Sequence, residues 1–157
     1  MSLLENQYDL IKGSRAAVFR FLEKEVKNDV FIPVAAFNNN TIAATLVHIV
    51  NTYLSWAGNF AMKMDRTFYN EQGFSSLTEV KKLFEDADRI IEQFLDKFAE
   101  EYEQLVANYK SGNRYVEATI LAVFTHMTTH EFHHKGQIMS MCRLLGHTPP
   151  DTDIIRF

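Results

Sequence analysis

The sequence predicts an all-α protein, a four-helix bundle, and three observations carry that prediction. Four stretches place apolar residues at steps of 3 and 4, the spacing of an amphipathic helix. No stretch alternates with period 2 for long enough to propose a sheet. The stretches are separated by turn-forming residues: Pro33 with Asn38-Asn39-Asn40, then Asn70-Glu71-Gln72-Gly73, then Ser111-Gly112-Asn113. With 157 residues, 46% of them apolar and 13 of them Phe, the chain can bury a proper core and reads as one domain over residues 1–157.

The first helix is expected from about Leu3 to Lys27, with Leu4, Tyr8, Ile11, Val18 and Leu22 on one face and Arg15 interrupting it. The second starts near Asn40 or Thr41 and reaches about Met64. Ser76-Leu77-Thr78-Glu79 has capping-box spacing, and behind it Val80, Phe84, Ala87, Ile91, Phe94 and Phe98 form the clearest apolar stripe in the chain. The fourth helix follows Ser111-Gly112-Asn113 and runs to about Leu145, where Gly146 and Pro149-Pro150 stop it. Helices of roughly 25 to 30 residues, each about 40 Å long, suit a bundle.

Composition excludes several functions. A net charge of -4 argues against nucleic acid as a partner, which needs a clustered basic face. The densest basic stretch, Lys12, Arg15, Arg20, Lys24 and Lys27, is interleaved with Glu23 and Glu25 and reads as a solvated helix face. Val30 to Met62 carries no Asp, Glu, Lys or Arg, yet it is no membrane span. Pro33 and the asparagines break it, and Thr41, Thr45, His48, Asn51, Thr52, Ser55 and Asn59 recur inside it. The single cysteine, Cys142, rules out an internal disulfide, and no secretory leader is evident, so a cytoplasmic protein is expected.

Chemistry concentrates in His126-Met-Thr-Thr-His130-Glu-Phe-His133-His134, which holds four of the six histidines. On a helix these four fall within an arc of roughly 100°. Neutral imidazole is a strong transition-metal ligand, and the flanking apolar residues suggest a core-facing helix, so a buried metal site is the first hypothesis. Two histidines at i and i+4 can hold one ion, which offers His126 with His130 or His130 with His134, with His126 and His133 at i and i+7 a poorer third pair; spacing alone does not choose among them. A catalytic site wants a third protein ligand from another helix. His48 is the best candidate. Its neighbours at i±3 and i±4, among them Thr45, Asn51 and Thr52, are small or polar, as in a pocket wall or a hydrogen-bonded seam. Cys142, two turns past His134, is a weak ligand candidate, and His147 reads as a helix-end residue.

There is no phosphate-binding loop, dinucleotide fingerprint or Gly-x-Ser-x-Gly elbow. His130-Glu131-Phe132-His133-His134 does satisfy His-Glu-x-x-His, which would make Glu131 the general base of a metal-dependent hydrolase. An all-α bundle offers no sheet edge to align a peptide, and a solvent-facing glutamate is the simpler reading.

Three passages resemble the DinB/YfiT-like family of small four-helix-bundle proteins. They are His48 within Thr45-Leu-Val-His48-Ile-Val-Asn51, the run His130-Glu-Phe-His133-His134-Lys-Gly-Gln137, and the closing Leu144-Leu-Gly-His-Thr-Pro-Pro150-Asp. The resemblance implies an up-down-down-up bundle, frequent homodimers, and a metal (Zn²⁺ or Ni²⁺ above all) held by His48, His130 and His134. It implies a pocket or supporting role for His126, with Asn51, Thr52 and Glu131 nearby, and leaves His133 facing a helix interface or solvent. Characterised relatives include metal-dependent transferases that join a low-molecular-weight thiol, such as bacillithiol or mycothiol, to an electrophilic substrate. The alternatives are a non-enzymatic metal-binding bundle and the hydrolase just described.

Overall fold

Ser2 opens the first helix through a complete capping box: its hydroxyl accepts the Glu5 N–H at 3.2 Å while the Glu5 carboxylate accepts the Ser2 N–H. The computed structural model describes residues 1–98 and 100–157 and is mostly helical, with α1 at Leu3–Phe21, α2 at Ile42–Tyr53, α3 at Leu77–Phe98 and α4 at Ile120–Leu144. Two of the expected helices change pitch before they end. After α1 the chain widens into a π turn, Leu22–Val26, and then tightens into a 3-10 helix, Lys27–Phe31. After α2 it widens over Leu54–Ala61 and stops before Lys63, whose φ of 59° is left-handed.

The expectation of no sheet is overturned. Leu105–Lys110 (β1) and Arg114–Thr119 (β2) form an antiparallel hairpin, with Tyr109 opposite Tyr115 and their ring centroids 5.5 Å apart. Ser111-Gly112-Asn113 is its turn, with Gly112 and Asn113 both at positive φ. The period-2 signal is faint because Val106, Val116 and Ala118 face the core while the exposed face also carries apolar side chains, Leu105, Tyr109 and Tyr115. The third helix accordingly ends at Phe98, and α4 begins at Ile120, capped by the Thr119 hydroxyl on Ala122 N–H at 3.1 Å.

The helix faces are those the periodicity predicts. Leu4, Tyr8, Ile11, Val18 and Leu22 of the first helical stretch, and Val80, Phe84, Ala87, Ile91, Phe94 and Phe98 of α3, all enter one contiguous core with Ile42, Leu46, Ile49, Val50 and Tyr53 of α2. Arg15 enters it too, which explains the break in its apolar face. Its guanidinium donates to both Glu131 oxygens, at 2.8 and 2.9 Å, and to Asp88 at 2.6 Å; Tyr53 donates to Glu131 and Tyr8 to Asp88. Side chains from all four helices thus meet in one buried polar cluster. Among the described residues, no helix is long and apolar enough to cross a membrane.

Candidate metal centre

His48 stands in the middle of α2, a helix started by the Thr41 hydroxyl accepting the Ala44 N–H at 3.0 Å. His130 and His134 lie one turn apart on α4. Packing of α2 against α4 brings the three imidazoles together: each offers one ring nitrogen, and the three nitrogens lie within 4.8 Å of one another. The site is not buried in the core as expected. His48, His130 and His134 are each half-buried, because the core stripe of α4 runs through Val123, Met127, Glu131 and Ile138 and the histidines sit beside it. That rim position leaves the cluster open to small molecules.

Two of the rings are held by residues outside the sequence-predicted set. Nδ1 of His48 lies 2.8 Å from Oε1 of Glu71, and Nδ1 of His134 lies 2.7 Å from Oε1 of Gln137. A carboxylate and an amide oxygen only accept, so in both rings Nδ1 is the donor, which leaves Nε2 to carry the lone pair of the neutral ring. Nε2 of His134 is 3.2 Å from Nε2 of His130. Nδ1 of His130 is buried and finds no hydrogen-bond partner among the described residues.

Burial, reinforced by the neighbouring imidazoles, lowers the pKa of His130 to about 4, and burial lowers that of His134 as well. Both are therefore neutral near pH 7, the form that binds a metal. The donor set fits a zinc-type ion. Two nitrogens about 2.0–2.1 Å from one tetrahedral centre stand roughly 3.3 Å apart, close to the His130–His134 separation.

Glu71 reaches the site because the loop after α2 is clasped to that helix. The Asn51 amide donates to Tyr69 C=O and accepts Tyr69 N–H, both at 2.9 Å, and Asn59 does the same to Arg66 at 3.0 and 2.7 Å. Asn51 is thus a loop clamp. Thr52, by contrast, turns back to its own helix and donates to His48 C=O at 3.0 Å. In sequence Glu71 looked only like part of a turn; its contact with His48 has no local signal. Gln137 lies within the quoted motif, three residues after His134, a spacing that places the two side chains together on a helix.

The remaining candidates separate. His126 is exposed and packs on Trp56, with centroids 4.6 Å apart and 6.0 Å from the His130 ring. His133 is exposed and contacts Gln137 Nε2 at 3.2 Å. His147 follows the Gly146 helix stop and meets Asp29 at 2.8 Å. Cys142 is fully buried, with its thiol pushed up to about 11, and is no thiolate ligand. Glu131 is not the solvent-facing residue expected. It is buried with both oxygens engaged by Arg15, so it has no free oxygen to act as a general base.

Comparison with known proteins agrees with this architecture. No curated protein matches the chain. Among solved structures, a DinB-like protein from Bacillus cereus ATCC 10987 superposes with a TM-score of 0.65 at 15% identity, covering 94% of this chain and 93% of that one, a likeness of fold. The sequence profile of the DinB family matches residues 6–157, almost the whole chain, and the protein belongs to that family.

Proposed function

We propose that this chain is a metal-dependent transferase that uses a low-molecular-weight thiol against an electrophilic substrate, in stress response or detoxification. His48, His130 and His134 would hold the metal, Zn²⁺ or Ni²⁺. The observation that carries the reading is the convergence of three imidazole nitrogens at a solvent-accessible rim, with Glu71 and Gln137 fixing two of the rings. When bound, an ion on three neutral imidazoles stays cationic and favours a thiolate at neutral pH.

The chain's own residues prepare the site. The Glu71 carboxylate orients His48 with Nε2 towards the site, and Gln137 does the same for His134. Neutral His130 presents its lone pair without first losing a proton. His126 and Trp56 form an aromatic wall one turn before His130 on α4. An up-down-down-up helix order belongs to the same reading. The contacts Tyr8–Asp88, Phe19–Phe84 and Glu23–Lys81 between the first and third helical stretches, and His48–His134, Tyr53–Glu131 and Trp56–His126 between the second and fourth, run in opposite directions along each pair and support it. A cytoplasmic homodimer completes the proposal.

Elemental analysis of wild type beside His48→Ala and His130→Ala is the test. About one transition metal per chain in wild type, lost in both variants, supports the triad. The loaded protein is then assayed for conjugation of low-molecular-weight thiols to electrophiles. Metal binding without thiol transfer, together with a marked fall in thermal stability on chelation, would identify a structural site instead. No metal uptake after reconstitution with Zn²⁺ or Ni²⁺ would overturn the reading.

A further inference from the structure

Beside the triad lies a second feature, a cationic cleft. Lys110, at the end of β1, is half-buried against the widened segment that follows α2. Its ammonium donates to Ser55 Oγ and stands 4.4 Å from the Trp56 ring centroid. Ser55 takes one of three N–H donors, and among the described residues no carboxylate lies within ion-pairing distance of Lys110. Burial of this uncompensated charge lowers its pKa below the ordinary lysine value.

Lys110 and Ser55 line a cavity of about 360 Å³, within the range of small-molecule sites. Phe60, Phe68 and Tyr109 supply apolar walls, and Phe68 and Tyr109 are 51% and 62% exposed. The two asparagines of the cleft are occupied inside the fold: the Asn59 amide clasps Arg66, and Asn108 donates to Asn59 C=O. Lys110 is therefore the charged group of the cleft with donors to spare.

We propose that this cleft binds a small organic carboxylate with an apolar body, ion-paired to Lys110 and packed against Phe68 and Tyr109. A single ammonium beside one hydroxyl matches one negative charge, whereas a doubly charged phosphate would call for a second cation. The cleft and the triad are connected. Ser55 lies seven positions after His48, two turns or about 10 Å along the helix, and Trp56 joins Lys110 to His126 and so to His130. The carboxylate would then be the anionic end of the substrate whose reacting end lies at the triad. That last assignment rests on the function proposed above; binding in the cleft does not.

Trp56 is the single tryptophan and its ring packs against the Lys110 ammonium, so its emission responds to a ligand on Lys110. Chelated protein is titrated with benzoate and with neutral benzamide, which keeps failure of metal binding out of the result. The expected outcome is a saturable change with benzoate at a Kd at least about tenfold below that of benzamide, as a charge-assisted hydrogen bond provides. Lys110→Gln should abolish that preference and Lys110→Arg should keep it, with helix content unchanged by circular dichroism. Equal affinities, no saturable response to benzoate, or an unaltered preference in Lys110→Gln would overturn the proposal.

Discussion

Glu71 Oε1 lies 2.8 Å from Nδ1 of His48, so a residue in the loop after α2 sets the tautomer of a histidine on that helix. A carboxylate in that position holds the ring and adds a negative charge behind a metal-binding nitrogen. Glu71→Gln keeps an acceptor but loses the charge, and Glu71→Ala loses both. Metal affinity should fall about 10-fold in the first and towards about 100-fold in the second, with one site per chain retained. Competition with a chromophoric chelator measures it.

Asn51 controls the same contact from a distance. Asn51→Ala removes both hydrogen bonds to Tyr69, which frees the loop that carries Glu71. Stability should fall by about 1–3 kcal/mol. Metal affinity should fall with it, and amides around residues 69–71 should exchange faster with deuterium while those of α3 do not.

The metal-free protein should lose stability on acidification through the histidines. The pKa of His130 is about 4 in the fold against 6.5 for an ordinary histidine, so between those values the unfolded chain binds the extra proton. This contribution is complete above about pH 6.5 and is lost as pH falls towards 4. Thermal melts of chelated protein from pH 4 to 8 should show a shallower slope in His130→Gln than in wild type.

Arg15 and Glu131 form a buried pair, each less than 10% exposed. Glu131→Ala leaves the guanidinium without its main partner and should cost about 3–5 kcal/mol in denaturant unfolding. Replacing both by apolar residues, Arg15→Met with Glu131→Leu, should recover most of that loss. Under the hydrolase reading, by contrast, Glu131→Gln would abolish turnover with little effect on folding.

Cys142 has no exposed surface and a thiol pKa raised to about 11 by burial. Iodoacetamide should alkylate it only after denaturation. Any thiol chemistry of the native protein then belongs to a bound small molecule.

Much of this was legible in the chain because helical period is local. The stripes ending at Leu22 and Phe98 were readable, as was the grouping of His126, His130, His133 and His134 on one side of a helix. What was not legible depended on contrast or on distance. The hairpin was hidden because apolar Leu105, Tyr109 and Tyr115 occupy its exposed face as Val106, Val116 and Ala118 occupy the core-facing one, and Glu131 was misjudged because its partner, Arg15, is 116 positions away.

Local periodicity set the four helical stretches, the buried faces of the first and third, and the four-residue spacing that lets His130 and His134 share a ligand. Tertiary packing decides that His48 meets that pair, that Glu71 backs it and that Lys110, among the described residues, stands beside it without a counterion. The physical reason is that periodicity follows from backbone geometry, whereas these contacts depend on how α2, its following loop, β1 and α4 pack together. That packing is settled by the whole core at once, through side chains far apart along the chain.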